Sequence, residues 1–287
     1  MRIAYMQPPG GQRRLGLVGE GAARLLASDP TAGVRSLADI LHSDDPAGLA
    51  ASLVNRSQAA MSLDSVALLA PVDRQEIWAA GVTYKRSQVA RMEESESGAS
   101  HYDKVYTADR PELFFKSQPH RVSGPGDPVR VRFDSDWSVP EPEFTLVISP
   151  AGKIVGYTIG NDVSAWDIER ENALYLPQSK VYDACCALGP FLVTPDEIGN
   201  PYEIEISCTI RRRGKLTFEG KASVGQLRRK FEEMVEYLTR GNSVPTPTVL
   251  LTGTGIIVTQ EAALAPGDVI TIDVPGIGSL VNEAAKV

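Results

Sequence analysis

At 287 residues, with 43% hydrophobic and 23% charged side chains, the chain has the composition of an ordinary globular protein and is long enough for one large domain or a small and a larger one. The formal net charge of −7 is broken only by short basic clusters such as Arg211-Arg212-Arg213 and Arg228-Arg229-Lys230, which argues against a nucleic-acid or membrane footprint. An acidic protein that handles an anionic substrate needs local positive charge, and a bound cation is one way to supply it.

The first segment reads as a two-stranded start around Pro8 to Gly11. A helix follows with Val34, Leu37, Ile40 and Leu41 on one face, then a second helix opening at Pro46 after Asp44 and Asp45, then a strand over 66–70. No constellation of catalytic side chains lies here, and the expectation is a small N-terminal α/β domain over 1–72. After Pro71 the pattern turns to short strands punctuated by Gly and Pro, the signature of a β-rich domain with a curled or closed sheet over 73–287. The spacing predicts two helices within it. One spans about 85–96; the other spans about 224–240, with Leu227, Phe231, Met234, Val235 and Leu238 on one stripe, Ser223 and Gln226 at capping-box spacing, and Gly241 as a stop.

Cys185, Cys186 and Cys208 form no CxxC pair and are odd in number, as expected of a reducing compartment. The N-terminal stretch turns polar after Met6, unlike a secretory signal, and nothing resembles a transmembrane run. The expected location is the cytoplasm.

The chemistry concentrates in residues 139–149. Alternation puts Glu141 and Glu143 on one face of a strand and Phe144, Leu146 and Ile148 on the other. Two like charges side by side require a proton or a cation between them, unless the strand is an exposed edge where water screens both. A second strand over 154–161 follows the turn Pro150-Ala151-Gly152, and hairpin pairing returns Asp162 to the two glutamates. Three carboxylates without a nearby His or Cys select a hard cation, Mg²⁺, Mn²⁺ or Ca²⁺, and argue against zinc.

Several spaced motifs extend this pattern: Glu141-Pro142-Glu143, Gly160-Asn161-Asp162, Lys180-Val181-Tyr182-Asp183, Leu188-Gly189-Pro190, Thr252-Gly253-Thr254, Gly267-Asp268 and Gly276-Ile277-Gly278-Ser279-Leu280. In this order, from about Trp78 onward, they resemble the catalytic domain of the fumarylacetoacetate hydrolase family. The resemblance implies an α+β protein whose β-rich catalytic domain carries a mixed, rolled-up sheet, assembled as a homodimer or homotetramer. It also implies that Glu141, Glu143 and Asp162 bind Mg²⁺ against a 2-keto acid, with Lys180 beside the reacting atoms.

Two departures from the family's hydrolases refine the reading. Their lid carries a histidine where Gly81-Val82-Thr83-Tyr84-Lys85-Arg86-Ser87 has serine, which removes the base that activates water. His101 is a histidine that could approach from a loop. After Asp162, Trp166 and Glu169 stand where the hydrolases have Arg and Gln. Together with Arg110-Pro111-Glu112-Leu113-Phe114-Phe115-Lys116, these features resemble the branch that contains 2-keto-3-deoxy-D-arabinonate dehydratase. That resemblance implies Lys180 and Glu112 as the acid and base, in either order, for loss of a C3 proton and the C4 hydroxyl, giving 2,5-dioxopentanoate. Thr252 and Gly253 then grip the carboxylate, and Arg86, on the mobile-looking stretch 85–100, reaches the substrate hydroxyls when a lid closes. The alternatives are a hydrolase of acylpyruvates or 2,4-diketo acids, and a non-catalytic binding protein that retains the fold.

Overall fold

The computed structural model describes all residues except 29–32, 95–103, 245 and 287, with backbone alone for 90–94. Among the described residues the strands build two large sheets and a two-stranded ribbon, Ser138–Val139 with Ser164–Ala165. The larger has twelve strands, ordered Met61–Ser62, Ala22–Leu25, Arg14–Val18, Arg2–Gln7, Cys186–Val193, Ile154–Asp162, Pro142–Ile148, Thr248–Leu251, Ile77–Gly81 and Glu112–Ser117, with Ala67–Leu69 and Val122–Ser123 pairing off this path. It is mixed: Thr248–Leu251 runs parallel to Ile77–Gly81 but antiparallel to Pro142–Ile148. The second sheet has five strands, in the order Lys215–Ser223, Glu205–Arg212, Val269–Val274, Gly278–Lys286 and Val129–Val131.

The strand Pro142–Ile148 is buried throughout and flanked on both sides, so it is a central strand and the exposed-edge alternative is excluded. Phe144, Leu146 and Ile148 share one core with the inner face of the second sheet. The helix Phe231–Thr239 covers them, its Phe231 ring stacked 5.8 Å from Phe144. Burying such aromatic faces stabilises the site's supporting strand by about 2 kcal/mol per side chain.

The expected boundary near residue 72 is crossed by continuous structure. Arg2–Gln7 pairs with Cys186–Val193, and the Met1 ammonium donates to Thr194 Oγ1 at 2.6 Å and Glu197 Oε1 at 2.8 Å. Ile3, Leu37, Ile40 and Leu41 share a core with Ile77, Leu188 and Val249. The N-terminal helices form at Leu37–Leu41 and Pro46–Ser52, the second capped by Asp45 as its sequence suggests.

The helix expected over 224–240 begins only at Phe231. Ser223 caps a single 3₁₀ turn, Val224–Gln226, through Gly225 N–H. Leu227 then bridges to Tyr84, and Arg228 N–H donates to the Thr83 carbonyl, so tertiary pairing draws the intervening chain out of helical geometry. Gly241 ends the helix at φ +73°, a left-handed conformation natural to glycine. The other helix is Lys85–Glu94; the remainder of the expected span, and His101, lie outside the described residues. The three cysteines are buried and free.

Candidate metal centre and catalytic pocket

The hairpin register sets Pro142 opposite Asn161 and Glu143 opposite Gly160, and Asp162 N–H donates to the Glu141 carbonyl at 3.0 Å. Even spacing on one strand and the end of its neighbour therefore aim Glu141, Glu143 and Asp162 at one point. One carboxylate oxygen from each lies within 4.8 Å of the others, and all three side chains are buried.

Each acid has its own partners. Glu141 accepts from the Trp166 indole at 2.5 Å on Oε1 and from Lys180 Nζ at 2.7 Å on Oε2. Glu143 Oε2 accepts from Gly253 N–H at 2.5 Å. Residue 253 must be glycine for that approach: its φ is +93°, and a Cβ would stand 2.0 Å from Thr83 Oγ1. Asp162 lies between two lysines, with Lys116 Nζ 2.6 Å from Oδ1 and Lys180 Nζ 3.2 Å from Oδ2. Lys180 also donates to Ser164 Oγ at 2.6 Å.

These surroundings push the acids apart. Desolvation, then the charges of Asp162 and Glu141, holds the Glu143 carboxyl well above the usual carboxylate range. Burial alone would raise Asp162 too, but Lys116 and Lys180 outweigh it and hold Asp162 below its ordinary value. Lys116 loses ammonium stability to desolvation and regains more from Asp162, so its pKa is raised.

A hard divalent cation fits this donor set. All three ligands are carboxylate oxygens, Asp162 Oδ1 accepts no hydrogen bond apart from its ion pair with Lys116, and no His or Cys lines the pocket among the described residues. Glu141, Glu143 and Asp162 would hold the ion.

The rest of the pocket surrounds this centre. Glu112, Phe114, Trp166, Glu169, Gly253 and Thr254 line it, together with Gly81 and the buried Ser87. Glu112 opposes Gly81 across paired strands, and its carboxylate packs so closely that a Cβ on residue 81 would meet Oε2 at 2.2 Å. Ser87 donates its hydroxyl to the Tyr84 carbonyl at 2.9 Å. Thr252, expected to grip substrate, is fully buried with its hydroxyl donating to the Phe144 carbonyl at 2.7 Å, and the pocket wall is made by Gly253 and Thr254 instead. Arg86 is exposed on the helix Lys85–Glu94 and does not line the pocket. Neither His42 nor His120 lines it.

The residues 76–285 match the family model for the fumarylacetoacetate (FAA) hydrolase C-terminal domain. The chain belongs to the fumarylacetoacetate hydrolase family. Over 217 residues, 76% of this chain and 74% of the relative, it is 50% identical to a probable 2-keto-3-deoxyxylonate dehydratase of Haloferax volcanii. It is 44% identical over 227 residues, 78% of this chain and 76% of the relative, to 2-dehydro-3-deoxy-D-arabinonate dehydratase of Saccharolobus solfataricus. A solved 2-keto-3-deoxy-D-arabinonate dehydratase complexed with magnesium and 2,5-dioxopentanoate aligns over 100% of this chain and 99% of its own, with a TM-score of 0.83 and 35% identity. The mixed, β-rich architecture is thus the family's fold.

In the sequence, Lys116 and Thr254 stand inside motifs without a role of their own, Ser164 is not singled out, and Trp166 is only a departure from the hydrolases. The one local signal for Lys116 is its even spacing from Glu112, which puts both on the same strand face. Ser164 carried no signal.

Proposed function

We propose that this chain is a magnesium-dependent dehydratase that converts a 2-keto-3-deoxy pentonate into 2,5-dioxopentanoate. The observation that carries it is the buried acid triad with Lys180 donating to two of its members, in a pocket where the water-activating histidine of the family's hydrolases is replaced by Ser87. The relatives' substrate names converge chemically. Once C2 is a ketone and C3 is deoxygenated, C4 is the sole stereocentre, so within the D series the xylonate- and arabinonate-derived compounds are one molecule.

Bound by the triad, Mg²⁺ supplies the electrophilic pull that acidifies the C3 protons of a 2-keto acid. Lys180, 2.7 Å from Glu141, lies close enough to the centre to exchange the C3 proton once unprotonated. Glu112, across the pocket, protonates the departing C4 hydroxyl, which leaves as water; the two residues' roles are interchangeable on this geometry. A proton moved from C5 to C3 then leaves an enol at C4–C5, which tautomerises to the aldehyde. Thr254 and Gly253 take the carboxylate, since the Thr252 hydroxyl is engaged with the main chain. Arg86, which stands outside the pocket lining, reaches the substrate hydroxyls when the helix Lys85–Glu94 closes over the pocket. The working unit is a homodimer or homotetramer in the cytoplasm; exposed Phe133 and Leu174 supply apolar surface for a second copy.

The test is incubation with 2-keto-3-deoxy-D-arabinonate and Mg²⁺ followed by NMR: the expected product is 2,5-dioxopentanoate, and chelation with EDTA should stop its formation. A chain inert on that acid but cleaving an acylpyruvate would establish the hydrolase instead.

A further inference from the structure

Lys116 is fully buried on the strand Glu112–Ser117 and is not part of the pocket wall. A lysine so far from water persists only when an opposite charge and good acceptors surround it. Its ammonium has three such neighbours: Asp162 Oδ1 at 2.6 Å, the Val163 carbonyl at 2.9 Å and the Lys180 carbonyl at 2.5 Å. These are a proposed metal ligand, the residue that follows it, and the main chain of the proposed proton-transfer lysine. Strand periodicity aligns Glu112, Phe114 and Lys116 on one face. The first two reach the pocket, with the Phe114 ring 5.5 Å from the Lys180 ammonium, while Lys116 fills the space beneath.

We propose, building on the dehydratase reading, that Lys116 is a positioning residue whose ammonium fixes Asp162 and the Lys180 main chain relative to each other, so that one buried charge sets both the metal site and the proton-transfer group. Asp162 then offers each oxygen to a different lysine. Without Lys116 the carboxylate has Lys180 alone, which is drawn towards it and away from the substrate.

The test compares Lys116→Met, Asp162→Asn and the double variant with the full-length parent. For Lys116→Met the expected result is a fall in kcat of at least about 100-fold with KM within about threefold, and Mg²⁺ affinity weakened about tenfold by calorimetry. The double variant melts above Lys116→Met alone, because it removes a buried carboxylate that has lost its partner. Turnover of Lys116→Met within threefold of the parent would overturn the proposal, as would strictly additive losses in melting temperature. So would failure of both the single and double variants to fold, since Lys116 would then act as a packing residue independent of Asp162. Metal affinity and melting do not depend on which acid is dehydrated, so an inactive parent sinks the proposed function without touching this result.

Discussion

The two sides of the pocket are built differently. The inner wall takes Glu141, Glu143 and Asp162 from a central hairpin and Lys180 from the end of the helix Leu176–Lys180, with Lys116 behind it, and these charged groups are all buried and tied to one another or to main chain. The rim comes from a strand end, where Glu112 is half-buried, and beyond it Arg86 stands exposed on the helix Lys85–Glu94, outside the pocket lining. Buried charges in a rigid sheet hold their geometry before a ligand arrives, because each one that moved would leave another uncompensated. Groups at the rim have water as an alternative partner and can adjust to the substrate. On the proposed function, the wall is where binding of the ion and the electrostatics are decided, and recognition is left to groups nearer the mouth.

That contrast sets an order of effects. Glu143→Gln, which removes a ligand without changing shape, should lower turnover by at least about 10³-fold and abolish the calorimetric Mg²⁺ signal. Retained metal affinity in this variant would break the assignment of the wall. Lys180→Met should cost about 10²- to 10⁴-fold in kcat while the protein still binds Mg²⁺, separating proton transfer from metal binding. Beyond the rim, Arg86→Ala should raise KM only a few-fold with kcat nearly unchanged, as for a side chain that binds ground and transition states alike.

Acidity separates the two lysine-flanked and glycine-capped acids in the wall. The Glu143 carboxyl is raised above 4.5, so the stability that its proton provides to the metal-free fold is complete below the ordinary value and lost as pH rises through the raised one. Mg²⁺ requires the ionised form, so the melting-temperature increment from Mg²⁺ should grow across that window. Asp162 has the opposite sign: its stabilisation is present above 3.8 and lost as pH falls through its depressed value. Differential scanning fluorimetry with and without Mg²⁺ at a series of pH values upward from the ordinary carboxylate value reads the first effect, and an increment that shrinks with rising pH would contradict it.

Much of the site was legible in local pattern. Strand alternation places Glu141 and Glu143 together, and a hairpin turn of the right length returns Asp162, because side-chain direction along a strand has a period of two whatever the rest of the chain does. Spaced glycines and the lysine at 180 were readable through family motifs. Thr252 was not, since choosing between residues 252 and 254 depends on which hydroxyl the Phe144 carbonyl captures.

By itself, the amino-acid sequence determined the acid triad, the preference for a hard cation and the β-rich architecture, all of them consequences of residue type and short-range spacing; the serine in place of a lid histidine was readable only through the family resemblance. Only the tertiary structure decided that the N-terminal strands extend the catalytic sheet, that the late helix waits until Phe231, and that Lys116 and Trp166 complete the charge pattern around the triad. Each of those depends on partners far away in the chain, and burial turns such long-range neighbours into obligatory ones: a lysine or indole cut off from water must find its acceptor wherever the fold has put it.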